Sequence, residues 1–227
     1  MTMKSSIKAI LPAVARFAAY IAGILCISYL IYRDARSGLN RFDETSWVEM
    51  TQLVLLLAST VICLRIWRGR SEIRHAALLL ATFTGVSFIR ECDAFLDEYV
   101  FDGCWQVLVF STLAIVFFHI WKNRLSFLAG MKLYLPTSAC GLFMGGFLTT
   151  YVFSRLFGTQ YLWRTALQEG YIKIAKTMAE ESTELLGYAL LLFSVIEMSI
   201  LARQLLPTSS QASDSRNSRS VEPLRKS

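Results

Sequence analysis

The sequence predicts an all-α integral membrane protein, a six-helix transmembrane bundle with an interfacial amphipathic helix between the fifth and sixth helices. Three observations predict it. The 227 residues are 54% hydrophobic, with only 12 Gly and 4 Pro. The apolar runs are hydrophobic all round rather than on one stripe, so they suit lipid rather than a water-facing surface. Finally, Trp residues stand at the ends of those runs, where interfacial aromatics belong. Residues 1–206 form one transmembrane domain on this reading, which leaves no room for a separate soluble domain.

The first span covers 13–32. Lys4, Lys8 and Arg16 precede its hydrophobic core as they would in a signal peptide, but no small-x-small cleavage site follows and the apolar core runs on to Arg33. It is expected to stay as an uncleaved helix. The second span, 47–66, opens with RFDETSWVEMTQ, in which Ser46 and Glu49 fit a capping box and Asp43 and Glu44 favour the positive end of the helix dipole. Trp47 and Trp67 bracket it, twenty residues apart, which is about 30 Å of helix and matches the hydrocarbon thickness. The third span, 76–95, is short: fourteen residues separate His75 from Arg90, about 21 Å of helix. Part of RECDAFLD is therefore expected at or below the interface, where charged groups face protein and pair. Arg90 to Asp93 is a natural i,i+3 ion pair, and Asp93 and Asp97 form a D-x-x-x-D pair.

The fourth span, 104–121, is bracketed by Trp105 and Trp121. The fifth, 135–154, carries Gly141 and Gly145 as a GxxxG, a spacing that lets helix backbones approach closely, within the bundle or in a homo-oligomer or partner complex. Residues 161–180 then read as a helix lying in the interface, with Thr177 and Glu180 as a second capping box. The sixth span, 184–203, begins at Glu184 and contains Glu197, an ionisable group at membrane depth and so a candidate site. The Ser-rich tail, 207–227, is expected to be disordered and cytoplasmic.

Charge sets the orientation. With the N-terminus inside, fifteen of the 23 basic residues fall in cytoplasmic segments, which predicts a bacterial inner-membrane protein with both termini cytoplasmic. The net charge of +6 follows from that bias and does not indicate a nucleic-acid partner. The acids sort the other way, with 13 of the 17 on the outer side. Helices two, three and six each bring carboxylates to one membrane level there. If those helices are neighbours, Glu49, Arg90, Glu91, Asp93, Asp97, Glu181 and Glu184 converge on one pocket for a cation or cationic solute, a divalent cation being one candidate.

Much intramembrane chemistry is excluded. There is no HExxH, no G-x-S-x-G, and only 2 His in the chain. The five cysteines show no metal spacing, and Cys92 and Cys104 both fall near the outer face, where a disulfide is permitted. The expected function is a small transporter, channel or accessory subunit with an outward acidic site. The alternatives are an enzyme acting on a lipid at the outer leaflet, with Arg90 holding phosphate, and a structural scaffold.

Overall fold

A computed structural model describes residues 3–36, 46–170 and 173–206, all helices and turns, with no strand among the described residues. The segment carrying Asp43 and Glu44 and the residues after Leu206 lie outside them. The helices are α1 (Met3–Arg36), α2 (Trp47–Arg68), α3 (Arg74–Glu91), α4 (Asp93–Tyr99), α5 (Cys104–Lys122), α6 (Arg124–Tyr134), α7 (Ser138–Phe147), α8 (Ser154–Gly158), α9 (Gln160–Leu167) and α10 (Lys173–Gln204). A π-helical stretch over Leu148–Phe153 joins α7 to α8 without a break.

Five stretches are long and apolar enough to cross a membrane: Ile10–Arg36, Trp47–Arg68, Cys104–Lys122, Ser138–Gly158 and Lys173–Gln204. Their outer faces say the same. Phe110, Ile115, Phe117 and Phe118 on α5 and Leu11, Phe17 and Leu25 on α1 are exposed, an apolar area that water would not tolerate and lipid would. The third expected span, α3, falls outside this set for a physical reason. It packs against α2, α5 and α10 and buries Ala76, Ala77, Thr82, Thr84 and Ser87, so it faces protein and needs little lipid-compatible surface.

Helix α10 is the axis of the bundle, packed against α2, α7, α8 and α1. It starts at Lys173 rather than 184. Thr177 therefore sits inside the helix, donating to the Lys173 carbonyl at 3.3 Å, and Glu180 pairs with Lys176 at 3.1 Å, so the expected second capping box does not form. The segment expected to lie in the interface, 161–180, is divided accordingly. Its first part is α9, its last part belongs to α10, and a short 3-10 turn over Gln168–Gly170 follows α9.

The Ser46 half of the first capping box forms at α2. Ser46 Oγ accepts from the Glu49 N–H at 3.1 Å, and Asp34, from the end of α1, accepts from the Val48 N–H at 3.0 Å. Ser46→Ala is expected to cost about 1 kcal/mol of stability in reversible unfolding, the usual worth of such a cap. A cost near zero would mean that Asp34 alone satisfies the helix start.

Helix α7 meets α10 through Gly146 and Gly187. A Cβ on Gly146 would lie 2.9 Å from the Gly187 carbonyl oxygen, and one on Gly187 would overlap the Thr150 hydroxyl. Gly141 and Gly145, the glycines that the sequence marks for packing, have no neighbour within 4 Å. Within one chain the GxxxG face is open, and the close approach is made one residue further round the helix. The cysteines are free thiols, Cys92 and Cys104 included, so the permitted disulfide is not formed.

Candidate functional site

The starts of α2 and α10, the end of α3 and all of α4 meet at one end of the bundle, which they make acidic. A cleft of about 490 Å³ opens there, lined by Glu49, Glu91, Asp93, Glu98 and Glu181 together with Gln52, Cys92 and apolar walls from Met50, Leu53, Phe95 and Tyr99. Each carboxylate is placed by a local device. Glu49 stands in the capped first turn of α2. Glu181 lies two turns into α10, where Gln52 of α2 donates to its carboxylate at 3.1 Å and to its backbone carbonyl at 3.2 Å. Gln52 is 1% exposed, and its Oε1 has no hydrogen-bond partner among the described residues. A buried acceptor left in that state wants a donor.

Asp93 is not where a continuous helix would put it. The chain breaks at Cys92, whose ψ of 12° ends α3, and Asp93 begins α4. Its carboxylate accepts from the Ala94 N–H at 2.7 Å and lines the cleft from the far side. The expected Arg90–Asp93 pair is thereby replaced. Arg90 instead bonds Glu91 at 2.5 Å, lies 3.8 Å from Glu184 and reaches the Tyr188 hydroxyl at 3.4 Å. Asp97 serves the backbone: its Oδ1 accepts from the Gly103 N–H at 3.0 Å and fixes the turn into α5, where a φ of 82° calls for glycine. It does not line the cleft, so the D-x-x-x-D pair divides into one cleft wall and one turn anchor.

Glu184 lies behind the cleft, 4% exposed. Arg155 of α8 holds it at 2.5 Å and Ser154 donates to it at 3.2 Å. Tyr188 donates to Glu91 at 2.6 Å, and Ser87 and Tyr151 share a hydrogen bond of 2.5 Å beside the Arg90 guanidinium, which lies 5.9 Å from the Tyr151 ring. The cleft wall is thus backed by a polar cluster from α3, α8 and α10. Sequence reasoning did not single out Arg155, Tyr151 or Tyr188. A signal for Tyr188 existed, since Glu181, Glu184 and Tyr188 at i, i+3 and i+7 share one helix face. Arg155 had only its position at the end of an apolar run.

Glu197 belongs to the other end of the bundle. It accepts from Arg16 and from the Tyr20 hydroxyl, both at 2.8 Å, and so ties α1 to α10.

The carboxylates equip the cleft to bind positive groups. Among the described residues no three His, Cys, Asp or Glu side chains stand close enough to hold a metal ion. Carboxylates spread over a cleft of this volume match several separated positive groups better than one bare ion. No known protein family, curated protein or solved structure matches the chain.

Proposed function

We propose that the chain is a multi-pass protein of the bacterial inner membrane that binds an organic cation bearing amine groups in the acidic cleft, as a small transporter, channel or accessory subunit. The carrying observation is the cleft itself: five carboxylates around an open volume, with the buried Gln52 Oε1 turned toward no partner. A primary ammonium has three donors and a charge, which suits both the carboxylates and that acceptor. The open arrangement favours a solute with more than one such group over a metal ion, and apolar contacts from Met50, Leu53 and Phe95 would cover its methylene stems.

In this reading α3 is the sixth crossing, sheltered from lipid by its neighbours. Arg65, Arg68, Arg70, Arg74 and Arg203 at the opposite end support a reading with that end in the cytoplasm, the acidic cleft outside and both termini inside. The alternative of a lipid-processing enzyme has less support, because Arg90 already has Glu91, Glu184 and Tyr188 as partners.

The test is a thermal-shift titration of the detergent-purified protein with monoamines, diamines and polyamines, and with sodium and magnesium ions, at constant ionic strength. A diamine or polyamine is expected to saturate. At 100 times its Kd it should add about 2.7 kcal/mol of stability. Glu49→Gln/Glu181→Gln, which keeps the shape and the Gln52 contact, should abolish that shift. An equal shift in the variant, or none with any cation, would sink the reading.

A further inference from the structure

A second cleft, of about 380 Å³, lies at the opposite end of the bundle, between the end of α2, the turn into α3 and the end of α10. Three arginines line it, Arg65, Arg70 and Arg203, and none makes an ion pair among the described residues. Basic residues at this end are expected from topology alone, so the arginines by themselves say little. Ser71 says more. It is 4% exposed and lines the same cleft, and its hydroxyl has no hydrogen-bond partner among the described residues. A buried hydroxyl facing three unpaired guanidinium-bearing side chains is a donor set for an anion with several oxygens.

The rest of the lining indicates what carries the anion. Ile62 and Leu206 form part of the wall of the same cleft, and Ile62 is preceded along α2 by the apolar surface of the span. A ligand seated there would have its charged group among arginines and an apolar part running toward the membrane interior. We infer that this cleft binds the phosphate of an anionic lipid, with Arg65 and Arg203 forking onto its oxygens, the Ser71 hydroxyl donating to it, and one acyl chain lying along Ile62. Basic pockets between membrane helices take lipid headgroups for these physical reasons. The inference is independent of the acidic cleft, which lies at the other end of the same helices.

The experiment uses the full chain in nanodiscs of phosphatidylcholine alone, or with phosphatidylglycerol added, followed by native mass spectrometry of retained lipid and by thermal melts. Wild type is expected to retain phosphatidylglycerol about thirtyfold over phosphatidylcholine, as two arginines near the surface would provide. Arg65→Gln/Arg203→Gln should lose that preference while melting as wild type does in phosphatidylcholine. Ser71→Ala should weaken it without altering the net charge. The comparison variant Arg68→Gln/Arg124→Gln removes the same charge from the same end outside the cleft and should keep the preference. Equal loss in both double variants would overturn the inference, since bulk surface charge would then suffice. Inorganic phosphate alone producing the same stabilisation would overturn the lipid as its source.

Discussion

Replacing Arg90 with methionine is expected to destabilise the bundle by about 3 kcal/mol, the low end of what removing one partner from a buried ion cluster costs. The low end applies because a third of the Arg90 side chain stays accessible and its partners keep other bonds. Methionine fills much of the volume of the arginine stem, so the loss is of charge and hydrogen bonds rather than of packing. What is left behind sets the magnitude. Glu91 keeps only the Tyr188 hydroxyl, and Glu184 keeps Arg155 and Ser154, so two carboxylates from α3 and α10 then face each other with one cation instead of two. Arg90→Met/Glu91→Gln should recover more than half of the loss, because the uncompensated charge has gone. Arg90→Lys should fall between, since an ammonium supplies the charge without the fork that reaches Glu91 and Tyr188 together. Equilibrium unfolding in mixed micelles measures all three. A cost below about 1 kcal/mol for Arg90→Met would show that water screens the cluster as it does a surface pair.

The gross architecture was legible because it depends on length and composition, which are local. Five of the six expected spans recur as helices long and apolar enough to cross. The boundaries that moved are those where a tertiary contact overrides local punctuation. Glu180 and Thr177 have the spacing of a cap, yet α10 runs through them, because Glu180 already has Lys176 one turn back and Arg155 of α8 at 3.5 Å. The break at Cys92 had no glycine or proline to announce it. An unbroken helix was the natural assumption, and it put Asp93 beside Arg90.

At the acidic end the sequence supplied residue types and a common depth, but not adjacency. Glu49, Glu91, Asp93 and Glu181 line one cleft only because α2, α3 and α10 are neighbours, and neighbourhood is a property of packing. Pairing was further from view. A carboxylate such as Glu184 chooses among cations by where their helices cross, so Arg155, 29 positions away, wins the shorter contact over Arg90. Glu197 and Arg16 illustrate the same point across 181 positions of chain. A charge at membrane depth announces that it has a partner, while the identity of the partner is written in another helix.

Gly187→Leu is expected to cost about 3 kcal/mol, while Gly141→Leu in the same bundle should cost nothing measurable. The contrast tests which glycines bring α7 and α10 together. In lipid no hydrophobic force drives two apolar helices into contact, so close backbone approach and the dispersion and hydrogen bonding it permits have to do so. The surface toward α10 of α7 and the π-helical stretch after it is Ala139, Phe143, Gly146 and Thr150, at alternating steps of four and three, and the facing surface of α10 is Gly187, Leu191 and Ser194. Ser194 donates to the Ala139 carbonyl at 2.7 Å, a bond available only because the helices lie this near. Any side chain on Gly187 collides with the Thr150 hydroxyl, which could turn about χ1, and also with the Thr150 Cβ and the Gly146 carbonyl oxygen, both at 3.0 Å, which cannot rotate away. Separating the helices would cost overpacking strain of about 1–3 kcal/mol and forfeit the Ser194 bond as well, hence a value at the top of that range. Gly141 meets nothing within 4 Å, so a leucine there adds apolar surface to a lipid-facing side. Unfolding free energies of the two variants under one set of micelle conditions measure the difference. Equal costs would mean that α7 meets its partner through the GxxxG face after all, with Gly146 incidental.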